Sequence, residues 1–185
     1  MDRELVKRAM AGDHGAFTAV AAASLSRLHR TARLILRDDD RASDAVQEAL
    51  VAAWLDIRGV RDPDRFDAWV HRLLVRACYR EARRSRRRQV IEIQVTPTGE
   101  PTGRDDTGGV ADRDQVERAF RRLTPEHRAV LVVHHYLGLS DAEAADMLGI
   151  RQGTFKSRLN RATAGLRAVV DADDRRADAR QESLA

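Results

Sequence analysis

Apolar residues in this chain recur every third or fourth position on both sides of an interval, residues 89 to 112, that has no such period. That step lines one stripe of an α-helix, whereas a strand face needs a step of two. The pattern therefore predicts two helical bodies joined by a tether. In the front half, Phe17, Val20, Ala21, Leu25, Leu28, Ala32 and Ile35 predict a long helix that stops near Asp38, Asp39 and Asp40. Val46, Leu50, Ala53, Trp54 and Ile57 line a second, ended by the turn-forming stretch Gly59 to Pro63. A third runs from about Asp64, as its N-cap, through Phe66, Trp69, Leu73, Leu74 and Ala77 into the arginine cluster Arg83 to Arg88. Aromatic residues make up only 4% of the chain, so Ala, Leu and Val must fill the cores, which suits helices rather than sheets. The expected fold class is all-α, two small helical domains on a flexible linker.

Behind the interval, Val116, Ala119, Phe120 and Leu123 mark a helix that leads to Thr124, an N-cap, and Pro125, which fits the first helical position. The next helix buries Val130, Leu131 and Val133 or their neighbours and closes at Gly138. Ser140 then caps a short Ala-rich segment ending at Leu148, with Glu143 placed to bond back to it. A Gly149-Ile150 turn and the run GTFKSRL follow, the sequence shape of a helix-turn-helix with its recognition helix. In that second helix Phe155, Leu159, Ala162, Leu166 and Val169 form one face, while Lys156, Ser157, Asn160 and Arg161 lie on others. The predicted boundaries are residues 1–88, an acidic linker at 89–112, a rear domain at 113–170, and a frayed polar tail at 171–185.

Charge is distributed unevenly along this frame. Residues 65–88 carry nine arginines against Asp67 and Glu81, a surplus of seven positive charges. Residues 89–115 carry six acids against two arginines, a surplus of four negative ones. On the third helix Arg72, Arg76, Arg80, Arg83 and Arg87 recur at steps of three and four, which confines them to one arc. Such a rail favours a polyanion, with salt-dependent binding. Trp69 lies beside it and fits either a core position or a stacking platform for a base. The linker, fully extended, reaches on the order of 80 Å, about two turns of B-DNA at roughly 34 to 36 Å each. Lys7 and Lys156 are the only lysines, a preference for arginine that suits phosphate recognition or a GC-rich genome equally.

Several classes lose support. The single cysteine, Cys78, allows no intramolecular disulfide or cysteine-rich zinc site, and its apolar neighbours predict burial rather than redox sensing. His134 and His135 are adjacent and cannot chelate as an i, i+4 pair would. There is no glycine-rich phosphate loop, HExxH or nucleophile elbow, so neither an enzyme nor a cofactor is expected. No apolar run approaches the roughly 18 residues of a membrane span, which predicts no membrane insertion and a cytoplasmic protein. Three readings stay open on residues alone: a promoter-specificity subunit, a stand-alone dimeric helix-turn-helix regulator, and a helical adaptor that does not touch DNA.

Taken together, these blocks resemble the bacterial RNA polymerase sigma factors of the extracytoplasmic-function group, the small form with only the second and fourth conserved regions. The likeness covers roughly residues 10 to 88 and 112 to 170. DRASDAVQEALVAAW at Asp40 to Trp54 is similar to the family's polymerase-binding helix, and FDAWVHRLL at Phe66 to Leu74 to the start of its promoter-melting helix. LTPEHRAVLVVHHYLGLSDAEAADMLGI, followed by GTFKSRLNRA, resembles the family's helix-turn-helix almost throughout.

The resemblance implies a division of labour. The front domain would hold the β′ clamp helices of core polymerase through Asp40, Asp44, Gln47, Glu48, Val51 and Trp54. Its −10 surface would comprise the loop residues Arg58, Gly59, Val60, Arg61 and Arg65, together with Trp69, Arg72, Arg76, Arg80, Arg83 and Arg84. Extruding a base there costs a few kcal/mol of stacking and pairing. The rear domain would meet the β flap and read the −35 element, with Gln152, Lys156, Ser157, Asn160 and Arg161 toward bases or phosphates and Arg151, Thr154 and Arg158 mostly on the backbone. The acidic tether would thread toward the RNA channel, and an anti-sigma factor would wedge between the domains. Two positions depart from the family pattern: Arg76 stands where Asn is common, and Arg80 where an acid or amide is frequent.

Overall fold

The computed structural model describes residues 2–95 and 111–182, and every regular element among them is helical. The front lobe holds α1 (Arg3–Met10), α2 (His14–Leu36), α3 (Asp39–Asp56) and α4 (Phe66–Val95). The rear lobe holds α5 (Ala111–Arg122), α6 (Pro125–Leu131), α7 (Asp141–Leu148) and α8 (Gln152–Glu182). Aspartates start the first three helices. Asp2, Asp13 and Asp38 each accept a first-turn backbone N–H, which satisfies a donor the helix cannot pair itself.

Two turns explain how the front lobe closes. Gly12 sits at φ +97°, a conformation that favours glycine, and the end of the flexible Arg58 side chain lies over it, 2.7 Å from where a Cβ would be. Arg37 ends α2 in the left-handed region at φ 60°, its N–H bonding back to the Arg33 carbonyl at 2.8 Å. Leu28, Ile35, Val46, Phe66, Val70 and Leu74 then meet in a core that also holds many small residues: Ala32, Ala42, Ala45, Ala49, Ala53 and Ala77 are all buried. Alanine on three facing helices lets their axes approach closely, and this is how a chain poor in aromatics fills its interior.

In the rear lobe Thr124 accepts from the His127 N–H, and Pro125 opens α6. Val130, Leu131 and Val133 are buried, as the sequence indicates. The helix widens into a π-turn at Val132–Tyr136 before Gly138 turns the chain at φ 69°. Ser140 and Glu143 form the complete capping box at the start of α7, and Gly149 ends it at φ 66°. Phe155 and Ala162 of α8 plug into the pocket this creates.

Three boundaries differ from those read in the sequence. The third helix is capped by Asp62, through a 3₁₀ turn at Pro63–Arg65, rather than by Asp64. It continues past Arg88 to Val95, because Gln89 to Val95 contain no helix breaker and Pro97 is the first. The segment expected to fray is the far end of α8, which runs unbroken to Glu182; Arg175 bonds back to the Asp171 carbonyl at 3.0 Å, and Ala, Arg and Gln favour the helix without packing. Much of the predicted linker, residues 96–110, lies outside the described residues.

Candidate nucleic-acid interface

At the start of α8 the buried and exposed faces separate as helical geometry demands. Gln152, Thr154, Lys156, Ser157, Asn160 and Arg161 are exposed, as is Arg151 just before the helix, while Phe155 points into the core. The convex face thus offers amide, hydroxyl and cationic donors, the groups that bond base edges and phosphates in a major groove. Lys156 lies 3.8 Å from Asp141 in an exposed pair that orients it weakly. Arg158 departs from this outward set: it is half-buried and turned toward Tyr79 on α4. Burial pushes the Tyr79 phenol up to about 12, with the Arg158 charge pulling against it and Glu126 adding to the rise.

On α4 the arginine arc forms, with a correction. Arg76 and Arg83 are exposed and make no ion pair among the described residues. Arg80 donates to Glu48 at 2.6 Å and Arg84 to the same carboxylate at 3.2 Å, so one member of the rail and a cation next to it share an acid on α3. The buried Glu81 lies 3.7 Å from Arg84 as well. A single-helix reading counts the missing opposing charges on α4 alone and cannot see a partner on the neighbouring helix. The side chain of Arg87, the rail's far end, lies outside the described residues.

The loop before α4 supplies a concavity of about 500 Å³, walled by Gly59, Arg61, Arg65, Trp69 and Arg72 on the front-lobe side. Trp69 is half-buried, its ring 5.8 Å from Phe66, so it serves the core with one edge and the groove with the other. Val60 lines the same concavity although it is only 7% exposed, and the exposed Arg58 lies over the α1–α2 turn at Gly12, outside that wall. Helix α1, which the sequence reading lacks, braces this loop: Arg3 pairs with Asp64 at 3.3 Å, and Val6 and Ala9 are fully buried. Its signals are the Asp2 cap and the apolar pairs Leu5–Val6 and Ala9–Met10 one turn apart, an amphipathic pattern confined to two turns.

The residues assigned to a polymerase face divide. Gln47, Val51 and Trp54 line an open groove with Leu25 and Leu50 between α2 and α3. Trp54 is fixed there by His14 and Phe17, whose rings lie 4.5 and 4.9 Å away. Leu25, Val51 and Leu55 are exposed large apolar side chains, and Leu25 and Leu55 were not among the expected contacts. Asp40 and Asp44 are exposed on α3 outside that groove. Glu48, one residue from Gln47, faces the opposite way, into α4. Adjacent helical residues diverge by about 100°, and sequence cannot say which of the two faces outward.

The histidines and the cysteine behave as ordinary structure. His134 Nδ1 lies 3.1 Å from the Leu139 carbonyl oxygen, His135 is exposed, and no group of three potential metal ligands exists among the described residues. Cys78 is fully buried, its thiol pushed up to about 12 by desolvation. No helix among those described is long and apolar enough to cross a membrane.

With this geometry, comparison with known proteins gives a consistent result. The family model "Sigma-70 region 2" matches residues 21–88, and "Sigma-70, region 4" matches residues 113–164. The chain is 36% identical over 170 residues to the ECF RNA polymerase sigma factor SigM of Mycobacterium tuberculosis, covering 91% of this chain and 84% of the relative. SigL of the same species is 34% identical over 145 residues, covering 77% and 82%. Among solved structures, the sigma factor RpoE of Bartonella quintana, in complex with the anti-sigma factor NepR, superimposes with a TM-score of 0.65 at 25% identity, covering 85% of this chain and 98% of that one. CnrH in complex with the cytosolic domain of CnrY gives a TM-score of 0.62 at 28% identity, covering 93% and 98%.

Proposed function

This chain belongs to the ECF RNA polymerase sigma factors, and from that premise we propose how its two lobes divide the work of starting transcription. The chain is a promoter-specificity subunit with no catalysis of its own; core polymerase makes the RNA. The α2–α3 groove, with Gln47, Leu50, Val51 and Trp54 and the exposed Leu25, receives the β′ clamp helices as an apolar seat. The rear lobe meets the β flap. The α8 residues Gln152, Lys156, Ser157, Asn160 and Arg161 read the −35 element, with Arg151 and Thr154 on phosphates. On the front lobe, Arg61, Arg65, Trp69 and Arg72 surround the space for an unpaired −10 base, while Arg76 and Arg83 hold the adjacent backbone.

The observation that carries this reading is the separation of two cationic surfaces, carried by Arg76 and Arg83 on α4 and by Lys156 and Arg161 on α8, from a groove between α2 and α3 that lies on neither. DNA and a protein partner can then be bound at once. The protein works in the cytoplasm, and an anti-sigma factor is the expected antagonist, covering the same groove or the DNA surfaces.

The test is reconstitution. The purified chain should co-elute with core polymerase and direct RNA synthesis from its own promoter, while binding that promoter poorly alone. A chain that shifts the duplex unaided, gains nothing from core and initiates no RNA is a stand-alone regulator instead.

A further inference from the structure

The two surfaces assigned to promoter DNA are not both open in this structure. The groove around Trp69 is closed on its far side by Leu139, Glu143, Asp146 and Met147 of the rear lobe. Asp146 is paired with Arg72, and the Arg65 charge bears on the Glu143 carboxylate and helps to hold its pKa below the ordinary range, after the hydrogen bonds from Ser140. Two carboxylates of α7 thus stand against the arginines that a DNA backbone would need. Further along α4, Arg158 is turned in toward Tyr79 rather than out with the rest of its helix.

At the other end of the contact the lobes are fastened by a buried group. Arg128 of α6 is only 7% exposed and donates from Nε to the Ile35 carbonyl oxygen at 2.6 Å, one of the last-turn carbonyls of α2 that lack an intrahelical donor. Beside it, Arg37 pairs with Glu117 of α5. Cation on helix terminus and acid on rail are independent contacts on opposite sides of one interface.

We propose that the free chain holds itself in a latched, self-inhibited state, in which α7 occupies the −10 groove as an internal competitor for DNA and Arg128 is the latch. The proposal rests on the assignment of that groove to promoter DNA. Opening is then required before the groove can take a base, and the apparent affinity of the free chain falls by the fraction of molecules that are open.

The test uses the full chain with spin labels at Leu55→Cys and Arg167→Cys, exposed positions on the two lobes, and a short mixed-sequence single-stranded DNA carrying a fluorophore. Arg128→Met removes the latch and one positive charge. Asp146→Arg, at a side chain 76% exposed, sets like charges against Arg72 without touching either core. In the parent chain the labels should report one short separation. In both variants the separation should lengthen and the DNA affinity should rise, by about tenfold if about nine-tenths of the parent is closed. A rise in Arg128→Met is the decisive sign, because loss of a cation otherwise weakens DNA binding; should that variant fail to fold, Asp146→Arg answers through the label separation together with the affinity. Separated lobes in the parent, or variants that open without gaining affinity, overturn the inference. Co-elution with core and RNA synthesis are measured on the same preparations, so the assignment as a sigma factor stands or falls separately.

Discussion

Glu48 on α3 accepts from Arg80 on α4 at 2.6 Å and from Arg84 at 3.2 Å, binding a residue expected to face polymerase to the rail expected to face DNA. Both side chains of the shorter pair are partly exposed, so the contact adds at most about 1 kcal/mol to stability. Its larger effect is to mask cationic charge. Glu48→Ala should leave the retention of core polymerase unchanged and steepen the salt dependence of promoter binding by the holoenzyme, the slope of log K against log salt changing by roughly one unit per freed arginine. Weakened core retention with an unchanged slope would return Glu48 to the polymerase face.

Lys156 and Arg161 stand exposed on the outer face of α8, away from Phe155 and Ala162. Replacing both with Ala should reduce transcription from the cognate promoter, with a loss of roughly 1–3 kcal/mol in binding for each base-contacting side chain. The melting temperature and core binding should hold. An equal fall in core binding would mean that the two lobes do not divide their tasks as assigned.

Gly153 has no internal reason to be glycine. It lies in the first turn of α8, outside the positive-φ region, and a Cβ there would meet nothing within 4 Å. Alanine should therefore stabilise the helix by up to about 1 kcal/mol. If the vacancy serves the close approach of a DNA backbone, Gly153→Ala raises the thermal midpoint while lowering −35 affinity severalfold. A variant that is more stable and binds as well as the parent removes the DNA explanation.

The parts of this molecule that are legible in sequence are those written within one helix. The capping box at Ser140 and Glu143, the Gly149 turn and the buried Phe155 each follow from residues three or four apart, and the structure contains all of them. Relations between helices are not written locally. Glu48 neutralising Arg80, Arg58 folding back over Gly12, and Asp146 meeting Arg72 join positions far apart in the chain. The two helix ends mislead for a related reason: Val90, Ile91, Ile93 and Val95 follow no helical period, and Asp171 to Glu182 hold no apolar residue larger than Ala, yet both stretches extend helices that earlier residues have already nucleated.

Cys78 offers a direct test of the front-lobe core. Full burial and a thiol raised to about 12 leave almost no thiolate at neutral pH. Alkylation by iodoacetamide should be slow in the native chain and rapid in urea, and hydrogen peroxide should leave transcription unchanged at concentrations that oxidise an exposed thiol. Fast native alkylation would show that α4 opens locally or packs differently.

His71 makes stability depend on pH in a definite direction. The ring is 4% exposed; Nδ1 lies 2.7 Å from the Asp67 carbonyl oxygen, and Nε2 has no hydrogen-bond partner. Nδ1 therefore donates, the ring is neutral, and protonation would place a second N–H where nothing accepts it. Desolvation lowers its pKa, the Asp67 carbonyl and carboxylate oppose that, and the Arg27 charge adds to it. Because the folded value lies below the unfolded one, the unfolded chain takes the proton first as pH falls. Stability is then full above about pH 6.5, the ordinary histidine value, and declines below it. His71→Leu, which removes the titrating ring, should flatten the urea midpoint between about pH 7 and about pH 5.5, a window in which unperturbed carboxylates stay ionised. Parent and variant midpoints that fall in parallel across that window would assign the acid sensitivity to another group.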